Sequence, residues 1–313
     1  MRPSDAARLV LLGGIWGSSF LLIKVALEDL TPLQIVAGRI VIGALLLVAL
    51  LYARGHRLPR DPRLLRTLFV MALIGNLVPF TLITWGEQYI TSSLAAILNS
   101  TTPLFTVMIA AAALKGESLS ALRLGGVILG FAGVGVIVGF ETDGSIQGMV
   151  AMTLASLSYA GGFVYARRHL SGRDLPPLAL PATQLLISAV LIFPFALVNA
   201  VDTPPNVTFD ATATTLALGL LGTGWAYVLY YRLIADIGAT SASFVTYLIP
   251  IFGIALGAIV LGEKLGVNTI AGAMLVIGGI AVAEIGNRRP VPSETAACEP
   301  EEATTPSAET TVR

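Results

Sequence analysis

Ten apolar stretches of about twenty residues follow one another along almost the whole chain, and each is long enough to cross a lipid bilayer as a helix. Hardly any of them contains a charged residue. The chain has 55% hydrophobic and 12% charged residues and a mean hydropathy of +0.82. A water-soluble domain with this composition would expose large apolar patches. We therefore predict an integral membrane protein.

Inside lipid there is no water to satisfy backbone groups, so a membrane-spanning segment is either a helix or part of a closed barrel. Continuous apolar runs, without the alternation of a barrel strand, favour helices. We predict an all-α fold of ten transmembrane helices. The predicted spans are Ala7 to Val25, Leu33 to Tyr52, Thr67 to Trp85, Ser92 to Leu114, Leu122 to Phe140, Gln147 to Ala166, Pro177 to Val198, Thr214 to Arg232, Thr240 to Leu261 and Val267 to Gly286.

Basic residues concentrate at the N-terminus and in the even-numbered loops, whereas the odd-numbered loops hold only Lys24 and Lys264. Loops rich in Lys and Arg stay on the cytoplasmic side. We expect a multi-pass protein of the cytoplasmic membrane with both termini in the cytoplasm. The zero formal net charge gives no indication of nucleic-acid binding. The basic residues are Arg2, Arg8, Arg54, Arg57, Arg60, Arg63, Arg66, Lys115, Arg123, Arg167, Arg168, Arg173, Arg232, Arg288, Arg289 and Arg313, and the odd-numbered loops carry the acidic Glu87, Glu141, Asp143, Asp202 and Asp210.

The second half of the chain repeats the first. Tyr89 to Ala113 matches Asp236 to Val260 at a constant offset that places Pro103 on Pro250. Further matches pair Glu117, Gly126 and Gly133 with Glu263, Gly272 and Gly279, and Trp16 to Phe20 with Tyr159 to Phe163. We predict five-helix repeats at residues 1–145 and 146–286 and a disordered cytoplasmic tail at 287–313, which is rich in Pro, Glu, Thr and Ala.

Five is an odd number, so the second repeat enters the membrane from the opposite side and the two repeats are inverted. Inverted repeats are typical of transporters, in which one half rocks against the other to open a central cavity to each side in turn. Span one on its own is also compatible with a cleaved signal peptide ending near Val25 and Ala26. The repeat favours a retained helix, because it gives span one a partner in span six.

Three groups of residues carry a resemblance to a known family: Trp16-Gly17-Ser18-Ser19-Phe20, Arg39, and Leu261-Gly262-Glu263-Lys264-Leu265, with Lys115-Gly116-Glu117 as its first copy. Over residues 6 to 286 the chain resembles the EamA-like drug/metabolite transporters. The resemblance implies a ten-helix carrier. Many members of that family export amino acids, other small metabolites or toxic compounds.

Arg39 is the only basic residue well inside a predicted span, about 10 Å from its outer end at helical rise. Its side chain either extends to the outer headgroups, binds a substrate carboxylate in a cavity, or anchors its helix through a polar partner. The polar Gln184 occupies the equivalent place in the second repeat, which favours a role inside the protein.

Small and polar residues form one stripe on span four and again on span nine. The stripes either pack helices closely or line a cavity, where Asn99, Ser100 and Thr246 would offer neutral hydrogen bonds to a substrate. Each stripe includes a proline, Pro103 or Pro250, that acts either as a static kink or as a hinge.

Four aromatic residues lie mid-span, away from the interfacial positions that are usual for Trp and Tyr: Trp16, Tyr159, Trp225 and Tyr227. We predict that they line the substrate cavity, with packing as the alternative. Asn76, Thr81 and Thr84 on span three add further amide and hydroxyl groups.

No span has Asp or Glu near its middle, which disfavours exchange of protons for a cationic drug at a buried carboxylate. The single cysteine, Cys298, lies in the tail, and no catalytic motif lies in a span, so an intramembrane enzyme, a metal site and a cofactor are not expected. We predict a secondary carrier that exports small metabolites such as amino acids, with the small-molecule substrate and the lipid bilayer as its partners. A passive facilitator remains the alternative, and the sequence indicates neither a coupling ion nor an oligomeric state.

Overall fold

The structure, a computed structural model, describes residues 2–114, 120–140, 145–170 and 175–286. Over these residues the chain is helical and contains no strand. Among these residues, nine helical stretches, some of them made of more than one helix, are long and apolar enough to cross a membrane, and a tenth apolar helix, Val245–Val260, is shorter. The predicted all-α fold with ten crossings is therefore confirmed. The tail at 287–313 and the Lys115-Gly116-Glu117 motif lie outside the described residues.

The described residues contain thirteen α-helices and two π-helical segments. In chain order they are α1 (Pro3–Ala26), α2 (Pro32–Ala53), α3 (Pro62–Ala72), the first π segment (Leu73–Leu77), α4 (Val78–Gly86), α5 (Ser92–Asn99), α6 (Thr102–Ala113), α7 (Ala121–Phe140), α8 (Ile146–Leu170), α9 (Ala179–Asp202), α10 (Phe209–Gly219), the second π segment (Leu220–Trp225), α11 (Ala226–Ala242), α12 (Val245–Val260) and α13 (Val267–Ile285).

Local sequence explains where several helices begin. Proline occupies the first turn of α1, α2 and α3, where its missing N–H costs nothing. At the start of α2, the Thr31 hydroxyl accepts a hydrogen bond from the Gln34 N–H while the Gln34 side chain accepts one from the Thr31 N–H. This reciprocal cap satisfies two backbone donors that would otherwise be unpaired.

Spans four and nine are not the single helices that the sequence predicts. Span four divides into α5 and α6 at Ser100 and Thr101, whose hydroxyls bind the carbonyls three residues earlier. Pro103 therefore stands in the first turn of α6 instead of kinking a continuous helix. Near span nine the chain breaks at Gly238, whose φ of 81° is unfavourable for other residues, and α12 then begins at Val245 with Pro250 inside it.

The helices pack in pairs that the repeat relates to one another. Helix α1 packs on α12, and its repeat counterpart α8 packs on α5 and α6. Helix α2 packs on its own counterpart α9, and α7 packs on its own counterpart α13. Such correspondence is what two repeats facing each other would produce. The repeat bounds at 145 and 286 and the inverted orientation in the membrane stay predictions.

Glycines bring α7 and α13 into backbone contact. A Cβ added at Gly133 would lie 2.6 Å from the carbonyl oxygen of Gly272, and one added at Gly279 would lie 2.6 Å from that of Gly126. All four glycines belong to the matched pairs of the sequence repeat. Small residues at such a crossing let two membrane helices approach closely.

Candidate polar site between the two halves

The two π segments occupy equivalent places in the two repeats. The constant offset of the repeat aligns Leu73-Ile74-Gly75-Asn76 with Leu220-Leu221-Gly222-Thr223. A π segment adds one residue to a helical turn and leaves backbone carbonyls without their usual partners, and such segments are frequent at functional sites. Asn76 and Thr223, the polar residues of the two segments, are both buried.

Asn76 is the centre of a buried hydrogen-bond network. Its Oδ1 accepts from Gln184 Nε2 at 3.1 Å and from the Tyr227 hydroxyl at 3.3 Å, and its amide donates to Ser188 Oγ at 3.3 Å. These partners come from α9 and α11, in the second repeat. The network therefore connects the first repeat to the second through side chains.

Side chains of the second repeat also satisfy the carbonyls around the first π segment. Gln184 donates to the Met71 carbonyl at 3.1 Å, Ser188 to that of Ala72 at 3.2 Å, and Ser158 to that of Ile74 at 2.7 Å. Unpaired backbone carbonyls are costly in an apolar environment. These contacts explain how the π segment persists inside the membrane-spanning bundle.

Arg39 of α2 lies at the second π segment. Its Nε donates to Thr223 Oγ1 at 2.8 Å, and its Cζ lies 4.1 Å from the centroid of the Phe80 ring, a cation–π distance. Only 7% of Arg39 is exposed. Among the described residues, neither terminal nitrogen of the guanidinium forms a hydrogen bond or an ion pair.

Arg39 and Gln184 make equivalent contacts in the two repeats. Arg39 of α2 reaches Thr223 in the second π segment, and Gln184 of α9 reaches Asn76 in the first. Both side chains therefore take part in contacts between the two repeats, which agrees with the role inside the protein that the sequence favours. An extension of Arg39 to the headgroups does not occur in this structure.

Tyr159 and Tyr227 are the two predicted aromatic residues that join this polar centre. Both hydroxyls lie within electrostatic range of the Arg39 guanidinium. Tyr227 belongs to the Asn76 network, and the Tyr159 ring contacts Phe80 edge-on with centroids 6.4 Å apart. Trp16 is half-buried and packs on Tyr230, with ring centroids 5.4 Å apart.

Trp225 does not point inwards as the sequence analysis expected. It is 44% exposed and shares an apolar outer stripe with Leu216, Leu220 and Leu221. The prediction rested on the depth of Trp225 along its span, which does not indicate the side of the helix on which a residue lies. We therefore leave Trp225 out of the site.

The remaining predicted contacts lie on the broken helices. Ser100 and Thr246 use their hydroxyls to bind backbone carbonyls three residues earlier, at 2.6 and 2.8 Å. Asn99 keeps a buried side-chain oxygen without a partner. Pro103 and Pro250 differ in position, since one begins a helix and the other lies inside one, and a hinge role for them stays a prediction.

Sequence reasoning missed Thr223, Phe80 and Ser188, and it named Asn76 only as a secondary contact. A signal for Thr223 was present, because it aligns with Asn76 in the repeat and each of them follows a glycine. Phe80 left no such signal in the sequence. In the described part of the chain, no three His, Cys, Asp or Glu side chains lie close enough together to hold a metal ion.

Polar contacts between the repeats lie at both ends of the bundle. At the predicted outer end, Asp29 accepts from Asn206 and Thr208, both at 2.5 Å. At the other end, Arg8 binds Asp236 at 2.8 Å.

Two cavities lie away from the polar centre. One of about 510 Å³ lies beside the loop at 52–60, and one of about 150 Å³ lies between α5, α12 and α13. Arg39 lines neither of them.

Ten apolar crossings around a buried polar centre, contributed by two related halves, define a membrane protein of the transporter class. The model of the EamA-like transporter family matches the chain twice, at residues 6–139 and 146–284. The chain belongs to the EamA-like transporter family.

Relatives that match most of the chain are also named as transporters. The chain is 26% identical over 270 residues to the uncharacterized transporter YoaV of Bacillus subtilis, covering 85% of this chain and 91% of the relative. It is 29% identical over 257 residues to the uncharacterized inner membrane transporter YedA of Escherichia coli, covering 80% and 81%. A crystal structure with 20% sequence identity superposes with a TM-score of 0.64 over 91% of this chain and 98% of the other, which shows the shared fold.

Proposed function

We propose that this transporter is a secondary carrier that exports small metabolites bearing a carboxylate, such as amino acids, by alternating access across the cytoplasmic membrane. The observation that carries the proposal is the Arg39 guanidinium, which is buried and bound to one neutral hydroxyl, with no carboxylate partner among the described residues.

A buried cation needs compensation. Even on the lowest scales, an arginine at the centre of a membrane helix costs about 2.5–3.5 kcal/mol, and most such residues pair with another charge. Thr223 and the Phe80 ring compensate this cost only in part. The two terminal nitrogens form a planar fork that matches a carboxylate, so a substrate of this chemistry would complete the pairing.

The groups around Arg39 are neutral and suit a small polar molecule. Tyr159 and Tyr227 offer hydroxyls beside aromatic surface, and Asn76 and Gln184 offer amides that now bind one another. Such groups can orient a ligand that carries no charge other than its carboxylate. Trp16, Asn99, Ser100 and Thr246 stay candidates for further contacts when the halves move apart.

The arrangement of the halves supports the proposal of alternating access. The polar centre lies between the repeats, and separate contacts join the repeats at each end of the bundle. Breaking the contacts at one end while keeping those at the other would open the centre to one side only. The predicted topology places both termini in the cytoplasm and the Asp29 contacts outside. We assign the protein no catalytic role.

Ligand binding to the purified protein tests the proposal. Amino acids and their uncharged carboxamide analogues are compared by the thermal stabilisation that they give in detergent. Wild-type protein should respond to a carboxylate and not to its carboxamide. Arg39→Ala should weaken binding at least about thirtyfold, because leaving one partner of a buried charge pair unpaired costs about 2–5 kcal/mol.

Two controls separate binding from folding. Arg39→Lys keeps the charge but not the fork and should bind more weakly than wild type and more tightly than Arg39→Ala. Arg66→Ala removes an exposed arginine of α3 and should bind normally. Equal responses to carboxylates and carboxamides, or undiminished binding by a folded Arg39→Ala protein, would refute the carboxylate site.

A further inference from the structure

Glu87 is a buried carboxyl that the substrate site does not use. It follows α4 directly, in a loop that the sequence analysis treats as exposed to water. The structure instead buries the residue completely, with 0% exposed. Neither side-chain oxygen has a hydrogen-bond partner. An ionised carboxylate without donors is far too costly in such a place, so the group is held in its neutral form.

The charged groups nearest to Glu87 are engaged elsewhere. Lys24 of α1 donates to the backbone carbonyls of Glu87 and Ile90, at 2.7 and 2.9 Å, and not to the carboxyl. Glu263 accepts from the backbone N–H groups of Ser92 and Ser93, at 2.7 and 2.9 Å. Lys24 thus fixes the loop around Glu87 while leaving the carboxyl itself unpaired.

Electrostatics favour the protonated state. Burial raises the pKa of the Glu87 carboxyl well above its usual range, while the positive charges of Lys24 and Arg39 oppose this rise and the negative charge of Glu263 adds to it. Arg39, the proposed substrate anchor, is therefore among the charges that act on Glu87. A carboxylate bound at Arg39 would therefore change the electrostatic potential at Glu87, and protonation of Glu87 would change the affinity of Arg39 for the carboxylate by the same factor.

We propose that Glu87 is a proton-binding site that must be occupied before the predicted outer end of the transporter can close. The inference rests on the proposed carrier function. With this end closed, Glu87 carries the proton. When the contacts of Lys24 and Glu263 open and water enters, the carboxyl releases its proton to that water, and the carboxylate left behind is stabilised by hydration and by the Lys24 ammonium. Reclosure requires the proton to return.

Infrared titration of the purified protein tests proton binding directly. In wild-type protein, the absorption of a protonated carboxyl should persist to a pH well above that of solvated glutamate, which titrates near 4.3. The band should be absent in Glu87→Gln and unchanged in Glu28→Gln, a control that removes an exposed carboxyl near the same end. Identical spectra for wild type and folded Glu87→Gln at neutral pH would overturn the proposal.

The neighbouring charges predict the direction in which the midpoint of the titration should move. Lys24→Met removes a positive charge and should move the midpoint of the band to higher pH, whereas Glu263→Gln removes a negative charge and should move it to lower pH. Glu87→Asp should restore a titrating band. A midpoint unaffected by both neighbouring substitutions would mean that the titrating group lies elsewhere.

The requirement for closure is measured by the exchange of labelled L-amino acids across liposomes, at a series of pH values that are equal inside and outside. Exchange by wild type and by Glu28→Gln should fall as the pH rises through the midpoint of the infrared band, because reclosure then lacks its proton, whereas exchange by Glu87→Gln should not depend on pH over this range. An equal pH dependence in Glu87→Gln would overturn the proposal. If wild-type vesicles exchange no amino acid, the proposed substrate class is wrong, and the infrared titration still decides whether Glu87 binds a proton.

Discussion

Replacing Gly279 by alanine places a methyl group against the backbone of a neighbouring helix. Its carbon would lie 2.6 Å from the carbonyl oxygen of Gly126, and the backbone of Gly130 is equally close. A carbon–oxygen contact normally requires about 3.3–3.6 Å, so α7 and α13 would have to separate by most of an ångström. The neighbouring Gly278 has no atom within 4 Å of the same added methyl group.

The pair of variants isolates the packing energy of this crossing. Alanine gains about 0.8–1.0 kcal/mol over glycine in a helix, and this gain is common to both substitutions. Overpacking costs about 1–3 kcal/mol, and the upper end applies because the contacted atoms belong to backbone and cannot change rotamer. We therefore expect Gly279→Ala to be less stable than Gly278→Ala by about 2–3 kcal/mol.

Unfolding of the two purified variants by titration with a denaturing detergent measures this difference, with helicity as the signal. Gly133→Ala and Gly135→Ala form a second pair on α7, because an added methyl group at Gly133 meets the Gly272 carbonyl and one at Gly135 meets nothing within 4 Å. Equal free energies of unfolding within each pair would refute the close approach of α7 and α13.

Three further substitutions test the polar contacts. Glu263→Gln removes the charge from a carboxylate that accepts from Ser93 and should lower the free energy of unfolding by about 1.5–3 kcal/mol, measured by the same titration. Asn76→Leu leaves the amide and hydroxyl of its partners unsatisfied and should cost about 1–3 kcal/mol in the same assay, whereas a loss near zero would mean that the network is not formed. Thr223→Val frees the Arg39 Nε and should weaken carboxylate binding by about tenfold in the thermal-stabilisation assay, less than Arg39→Ala, and a larger effect than that of Arg39→Ala would contradict the assignment.

The fold was predictable because the sequence features that indicate it, the apolar stretches and the repeat, extend over many residues. Apolar length determines the number of crossings, and the repeat identified Arg39 and Gln184 as equivalent residues that the structure places in equivalent contacts. The aligned glycines of α7 and α13 likewise lie at one crossing. These features depend on spacing along the chain, which sequence records directly.

The failures have local causes. Trp225 was assigned to the cavity because it lies mid-span, but depth along a span does not indicate the side of the helix on which a residue lies. Glu87 was assigned to water because it lies two residues after the predicted end of a span at Trp85, but sequence does not show that Lys24 and the loop before α5 close over it. Pro103 begins a helix because neighbouring hydroxyls take over the carbonyl hydrogen bonds, which depends on side-chain rotamers.

Counterflow in liposomes tests most directly whether the site at Arg39 carries its ligand by alternating access. Vesicles containing wild-type protein are loaded with an unlabelled amino acid that binds in the stabilisation assay, and a trace of the labelled compound is added outside. A carrier should accumulate label transiently above its external concentration, and Arg39→Ala vesicles with the same protein content should not. Simple equilibration without an overshoot in wild type, or an equal overshoot in Arg39→Ala, would contradict the account.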